Sequence, residues 1–423
     1  MKISDYSVPG KQVKKLVCVT GDNNNKFYHM FEQNDGNFKV VYGRIESTSI
    51  EHSYPMSDWD KKYREKTKKG YNDITHLYTE KIEADIKDAT TGAQVTAIQN
   101  AMVRQLIDEL QAYANKTIKE NYSVTQEDVT QAQVDEAQKI LDNLVGHLRN
   151  QSTSTTINDC LLKLYRTVPR KMAHVKNHLV ESGYSTSSLQ RMLDDEQKLL
   201  DVMAGQVEAI KKQKEATRTQ TGNSKSTMDM LEVLGLEVKE VSSKEAELIK
   251  KMMGNNSGQY KRAFSVVNKK TEGNFKSYVA KAKNQKCELF WHGSRNENWM
   301  NILQTGLLIR PAGVIITGAM YGNSVYFADK AQKSIGYTSL SGSYWAKGCS
   351  KKAFLAIYDV HVGNQKHIYN HTSACYDLNK KQLDREGFDS VYAHAGTSIR
   401  NNEFMVYSTE QSTIRYIVEI IER

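Results

Sequence analysis

Cys287-Glu288-Leu289-Phe290-Trp291-His292-Gly293-Ser294 decides the reading of this chain. Apolar, strand-like residues run into a His-Gly-Ser triplet. Three further blocks follow in order: Tyr326-Phe327-Ala328-Asp329, Lys333-Ser334-Ile335-Gly336-Tyr337 and Asn402-Glu403-Phe404. A single triplet of this kind occurs by chance. Four ordered blocks, each set among apolar residues, form a specific pattern.

The hydrophobic period around these blocks is close to two. Phe354, Ala356, Tyr358, Val360 and Val362 alternate with Leu355, Ile357, Asp359 and His361, and Ile414 to Ile421 reads as another strand. The last third of the chain is therefore β-rich. Upstream, from about Val95 to Lys212, the pattern is helical. Thr125-x-x-Asp128 is a candidate cap for a helix whose Ala137, Ile140, Leu141, Leu144, Val145 and Leu148 share one face. Pro169 ends the next helical stretch and Leu189 to Lys212 forms another. Ala216 to Thr227 reads as a loop, and Ser242-x-x-Glu245 opens a helix that stops at Gly254.

The first 80 residues read as a small mixed domain. Lys14 to Thr20 is strand-like. Lys26 to Gln33 and Phe38 to Tyr42 flank Asn34-Asp35-Gly36-Asn37, a hairpin signal because Asp-Gly tolerates positive φ. Ser57-x-x-Asp60 after Pro55 predicts the start of a helix carrying Lys61, Lys62, Arg64, Lys66, Lys68 and Lys69, which stops at Gly70.

The chain has 423 residues, enough for two to four domains. Its net charge of +9 permits nucleic-acid binding without establishing it. None of the five cysteines forms a C-x-x-C pair, which argues against zinc fingers and disulfide scaffolds and fits a reducing interior. The start, Met-Lys-Ile-Ser-Asp, has no signal-peptide core, and no apolar run is long enough to span a membrane. The expectation is a soluble intracellular protein without membrane partners, nuclear in a eukaryote and cytoplasmic in a bacterium.

From about Leu289 to the C-terminus the chain resembles the catalytic domain of the poly(ADP-ribose) polymerase (PARP) family of ADP-ribosyltransferases. His292, Tyr326 and Glu403 match its His-Tyr-Glu triad. Val41-Tyr42-Gly43-Arg44, with Lys66-Thr67-Lys68-Lys69-Gly70-Tyr71, is similar to a WGR domain in which Tyr42 replaces the usual Trp. Leu161 to Val168 and Glu245 to Lys251 are similar to the family's helical regulatory domain. The implied architecture is α+β multidomain: a small mixed WGR-like DNA-binding domain at 1–85, an all-α regulatory domain at 90–255 and a β-rich ADP-ribosyltransferase domain at 256–423.

The resemblance implies NAD+ as co-substrate, no metal, and transfer of ADP-ribose after cleavage of the nicotinamide–ribose bond. That bond breaks through an oxocarbenium-like state, as in glycoside chemistry. One carboxylate can stabilise the developing charge and orient a hydroxyl, the role given to Glu403. By resemblance, His292 and Ser294 bond the adenosine-side ribose and its surroundings. The Gly293 backbone and the Ser334 hydroxyl hold the carboxamide, glycine letting the ligand approach the main chain. Tyr326 and Tyr337 sandwich the nicotinamide ring. Asn298, Ala328 and Lys333 line the pocket. There are departures. Leu308 stands where some relatives carry an adenosine-side Arg, with Arg310 two residues on, and Ala319 and Ser324 replace an aromatic and a Gly. These bear on NAD affinity, not on reaction class. No G-x-G-x-x-G is present, so nothing points to a Rossmann site.

The WGR-like segment implies contact with DNA ends or nicks. Tyr42 could pack on a terminal sugar or base, and Arg44 could serve DNA or an inter-domain contact. Lys62, Lys66, Lys68 and Lys69 could meet phosphates. Acceptor proteins, the chain itself included, and an accessory protein completing the acceptor site are further implied partners. His174 and His178, and the series His367, His371 and Cys375, have spacings that could bind metal but lack a closed ligand set. Met252-Met253 reads as core filling. Three functions stand open: a DNA-stimulated polymerase, a mono-ADP-ribosyltransferase on protein or nucleic acid, and a DNA-end-binding scaffold whose transferase fold only senses NAD.

Overall fold

The computed structural model describes residues 6–8, 10–78, 96–124, 128–219, 229–309 and 320–422. The chain divides into two compact units, one of residues 1–93 and 116–210, the other of 94–115 and 211–423.

The first unit opens with a five-stranded antiparallel sheet of order β4-β3-β2-β1-β5. Its strands are β1 (Val13–Thr20), β2 (Asn24–Glu32), β3 (Asn37–Arg44), β4 (Ile50–Pro55) and the short β5 (Asn72–Asp73). The expected turn joins β2 to β3, with Gly36 at φ +77° and the Asp35 carboxylate accepting from the Asn37 N–H. Helix α1 (Trp59–Lys68) packs Trp59 against Leu16, Tyr28, Met30, Phe38 and Val40. Ser57 does not cap it. A 3-10 turn over Met56–Asp58 precedes the helix, so Ser57 lies inside that turn and Asp58 holds the cap position.

The helical stretch contains α2 (Ala101–Asn121), α3 (Gln131–Arg149), α4 (Ser154–Thr167) and α5 (Thr186–Thr219). The predicted apolar stripe of α3 is buried along its length. Its cap is Thr130, in a reciprocal box with Gln133, and not Thr125, which lies outside the described residues. Gln133 also donates to the Tyr78 hydroxyl and the Thr167 carbonyl, partners that hold the start at Thr130. Helix α5 continues to Thr219, into the predicted loop at 216–227, because that stretch contains no breaker before Gly222; residues 220–228 lie outside the described ones.

Within this unit Arg170 and Glu196 form a buried ion pair at 2.9 Å. The guanidinium also lies 4.8 Å from the centre of the Tyr122 ring, and the Arg170 carbonyl accepts from Asn25 of β2 at 3.1 Å. One residue thus ties the N-terminal sheet to the helices. Removing one partner strands the other charge in a dry site, which costs about 3–5 kcal/mol. Arg170→Ala is expected to destabilise the first unit by about that amount in urea unfolding, well beyond the about 0–1 kcal/mol of a surface pair. Loss below 1 kcal/mol would refute this role.

The second unit is built on two sheets. One is antiparallel, of order β6-β7-β14-β10-β8: β6 (Leu236–Glu240), β7 (Tyr260–Asn268), β8 (Cys287–Gly293), β10 (Lys352–His361) and β14 (Ser412–Ile421). The other has order β11-β12-β13-β9: β9 (Val325–Phe327), β11 (Gln365–Ile368), β12 (Ser390–Ala393) and β13 (Glu403–Val406), with β11 and β12 parallel. The larger sheet begins before residue 256. Gly235 in the left-handed region ends helix α6 (Met230–Leu234), and Leu236 and Val238 then bury alternate positions of β6. Strand β10 is paired along both edges, with β14 and β8, and residues on both of its faces are buried. Helix α7 (Ser243–Met253) starts at the expected Ser242–Glu245 box and stops at Gly254. Its Ile249 and Met253 enter the core with Trp291, Leu355 and Ile357, and Met252 packs at the margin. Among the described residues no helix is long and apolar enough to cross a membrane.

Candidate active site

Strand β8 brings His292 to the edge where the two sheets meet. The Trp291 N–H donates to the Ala328 carbonyl at 2.8 Å, and the Ala328 N–H returns the bond to the Trp291 carbonyl at 3.0 Å. This pair stitches β8 to the chain leaving β9. His292 Nδ1 lies 3.0 Å from the Tyr326 carbonyl oxygen. A carbonyl only accepts, so Nδ1 carries the proton and Nε2 keeps a lone pair. The ring is walled by Trp299, Phe327 and Tyr358. Burial lowers its pKa from 6.5 to about 4, so the imidazole is neutral at physiological pH.

Gly293 has a packing reason beyond the one expected from sequence. A Cβ there would overlap the Ser334 carbonyl oxygen. The close approach to its main chain is made by helix α10 (Ala331–Ile335; α8 and α9 are Lys269–Lys281 and Trp299–Thr305). The substrate is not needed to explain the glycine. Ser334 itself is buried on α10. The Ser294 hydroxyl accepts from Asn298 Nδ2 at 3.0 Å, which leaves its own proton to donate. Ala328 is buried and both its backbone groups are used by Trp291, so its methyl is what it can offer a ligand.

Tyr326 sits on β9 opposite Met405 of β13. Its hydroxyl accepts from the Tyr321 N–H at 2.9 Å and donates to the Gly322 carbonyl at 3.2 Å, which locks the ring. Burial pushes its pKa up, so the phenol stays protonated. Glu403 opens β13 beside it and is only 7 % exposed. Its carboxylate pairs with the Lys333 ammonium. Burial disfavours that ammonium, yet Glu403 outweighs it and holds the Lys333 pKa above the ordinary range. Lys333 also reaches over Tyr337, which is 41 % exposed. Two residues without an assigned role steady Glu403. Asn402 donates to Asp329 at 2.7 Å and accepts from the Ala395 N–H at 2.9 Å. Both lie at the polar ends of motif blocks, the one sign the sequence carried of their use.

The structure therefore gathers His292, Gly293, Ser294, Asn298, Tyr326, Ala328, Lys333, Ser334, Tyr337 and Glu403 at one edge of the two-sheet unit. It offers a neutral acceptor nitrogen, hydroxyl donors, an exposed aromatic face and one carboxyl group paired with an ammonium. These suit a dinucleotide with an aromatic amide at one end. Leu308 is exposed; Arg310 and Ala319 lie outside the described residues, and Ser324 is buried.

Comparisons with known proteins identify the family of the unit that holds this site. Residues 243–421 match the family model of the poly(ADP-ribose) polymerase catalytic domain. A poly(ADP-ribose) polymerase-like protein, 100L, of Invertebrate iridescent virus 6 is 36% identical over 163 residues, 38% of this chain and 84% of that one. The chain belongs to the poly(ADP-ribose) polymerase family. It is an NAD+ ADP-ribosyltransferase. The uncharacterized protein 101L of the same virus is 31% identical over 193 residues, 46% of this chain and 76% of that one. Poly(ADP-ribose) polymerase 2 of Zea mays aligns over 95% of this chain and 68% of its own length at 22% identity.

The N-terminal residues singled out for DNA are placed in the first unit. Tyr42 is half-buried, with His52 stacked at 5.9 Å. Lys62 lies over Tyr54 and Lys66 over Tyr28, at 4.3 and 4.2 Å from the ring centres. Lys69 pairs with Glu65, and Lys68 is exposed. Arg44 bonds Asn23 and the Ala173 carbonyl. The histidines of metal-like spacing have other partners. His174 meets Asn23, His367 meets His394 at 2.8 Å, and His371 meets the Met320 carbonyl at 2.8 Å. Among the described residues no group of three or more His, Cys, Asp or Glu could hold a metal.

The His292 environment sets a pH signature. An unfolded imidazole takes a proton near 6.5, whereas the folded site resists until about 4. Its contribution to stability is therefore full above 6.5 and declines as pH falls through that window. NMR of labelled histidine is expected to show the His292 ring titrating near 4, with the Nδ1–H tautomer above it. A midpoint near 6.5 would exclude the buried neutral ring.

Proposed function

We propose that this protein is a DNA-break-stimulated poly(ADP-ribose) polymerase that modifies proteins, itself included, and extends ADP-ribose chains in a DNA-damage response. The observation that carries the chemical part is the buried Glu403 side chain, paired with Lys333 beside Tyr326 and Tyr337.

The reaction follows from those groups. Tyr326 and Tyr337 bracket the nicotinamide ring, and the Gly293 backbone with the Ser334 hydroxyl hold its amide. The His292 Nε2 lone pair and the Ser294 hydroxyl meet the ribose of the adenosine side. The C–N bond between ribose and nicotinamide breaks, and its electron pair leaves with the ring nitrogen. Positive charge develops on the ribose carbon and its ring oxygen. Glu403 stabilises that charge at close range in a poorly solvated site. An acceptor oxygen then bonds the ribose carbon, and its proton passes to Glu403 or to water. Lys333 pairs with Glu403 before substrate arrives.

For regulation, the reading extends to the N-terminal sheet and the helices. The WGR-like segment engages a DNA end, helped by a net charge of +9 and by exposed cations such as Lys68. The helical region holds the enzyme in a low-activity state at rest, and DNA engagement shifts the population toward an NAD-competent state.

The test is NAD+ consumption and product size with the full chain, with and without nicked or blunt DNA. Turnover is expected to rise with DNA and to give long products. Glu403→Gln keeps size and hydrogen bonding but not charge. It is expected to lower kcat by about 100- to 1000-fold while NAD+ still binds. Deleting residues 90–240 is expected to raise basal turnover and abolish the DNA response. Short products independent of DNA would instead identify a mono-transferase. Binding of NAD+ and DNA without turnover would identify a scaffold.

A further inference from the structure

Tyr337 presents a mechanical problem. It lies two residues beyond α10 and is 41 % exposed, so burial alone does not fix its ring. Trp345 stacks along it, with ring centres 6.1 Å apart and planes 19° apart. Tyr344 meets Trp345 edge-on at 4.6 Å. Trp345 is 59 % and Tyr344 70 % exposed, a placement that burial does not explain.

The loop bearing Trp345 is tightly tied. The N–H groups of Trp345 and Ala346 both donate to the Gly336 carbonyl, at 2.9 and 3.0 Å. Arg295 Nη1 donates to the Ala346 carbonyl at 3.2 Å. The Gly348 N–H donates to Ser343 Oγ at 2.7 Å, and a Cβ on Gly348 would overlap the Ser339 carbonyl. A Cβ on Gly336 would stand 3.2 Å from Trp345 Cδ1, so the indole presses on the backbone next to Tyr337. The loop thus holds the indole at a fixed place against the residue that precedes the tyrosine and against the tyrosine itself.

We propose that Trp345 is a positioning residue for NAD+ binding: its indole backs Tyr337 and holds that ring ready to stack on nicotinamide. This rests on the reading of Tyr337 as the nicotinamide-facing ring. Trp345 touches Tyr337 and not the reacting atoms. Its contribution belongs to substrate binding more than to the chemical step.

The experiment measures KM for NAD+, kcat, the affinity for nicotinamide and the melting temperature. The full-length proteins compared are the natural sequence, Trp345→Ala, Trp345→Phe and Tyr337→Ala. Trp345→Ala is expected to raise KM and weaken nicotinamide binding by about three- to tenfold, the range of an aromatic pair, with kcat and melting temperature nearly unchanged. Trp345→Phe is expected to restore most of the affinity. If Tyr337→Ala weakens nicotinamide binding while Trp345→Ala leaves it unchanged, the positioning role is overturned. A fall in kcat and melting temperature without a change in KM overturns it too, since that is loss of structure. If Tyr337→Ala also leaves nicotinamide binding unchanged, the reading of Tyr337 fails and the inference falls with it.

Discussion

The site depends on a two-bond joint between sheets. Trp291 and Ala328 exchange backbone hydrogen bonds, and so fasten β8 of the five-stranded sheet to the chain leaving β9 of the four-stranded one. Phe290 and Phe404, one from each sheet, stack at 4.0 Å beside it. Every group assigned to the chemistry is placed relative to this joint. His292 follows Trp291, Tyr326 precedes Ala328 by two residues, and Glu403 precedes Phe404. The burial and the hydrogen bond that fix the imidazole tautomer come from the same junction, since its Nδ1 is bonded to the Tyr326 carbonyl. A small shift here would misplace donor, carboxylate and stacking ring together.

Electrostatics complete what the joint positions. The site contains one buried carboxylate and one partly buried ammonium, paired with each other, beside an imidazole that burial keeps neutral. The division is useful for breaking a bond to a cationic ring. A second cation in the pocket would oppose the pyridinium of NAD+, and a protonated His292 would lose its acceptor lone pair. Lys333 is held away from such a conflict by its attachment to Glu403. In the first unit the buried Arg170–Glu196 pair serves structure instead, joining the N-terminal sheet to the helices through Asn25.

Much of this was legible in sequence because strand period, capping boxes and ordered motifs are local signals. The strands around Lys14, Phe38, Phe354 and Ile417 and the box at Ser242 are of that kind. Starts and ends were less legible where tertiary contacts choose among several capping residues, as Gln133 does in favour of Thr130. Strand β6 is too short to announce a period between two helices, and β10 alternates in sequence although both its faces are covered. In the site, residue types could be read from the motifs, but pairings could not. Lys333 and Glu403 are 70 residues apart, and the overlap that makes Gly293 necessary comes from Ser334. Trp345 belongs to no motif block, and only its stacking on Tyr337 reveals it.

The most direct test of the account is a structure of the full chain with a non-hydrolysable NAD+ analogue. The account requires the nicotinamide ring between Tyr326 and Tyr337, its amide on Gly293 and Ser334, and Glu403 within hydrogen-bonding reach of the attached ribose. A ligand seated elsewhere, or a ribose far from Glu403 with that carboxylate still turned wholly to Lys333, would contradict it.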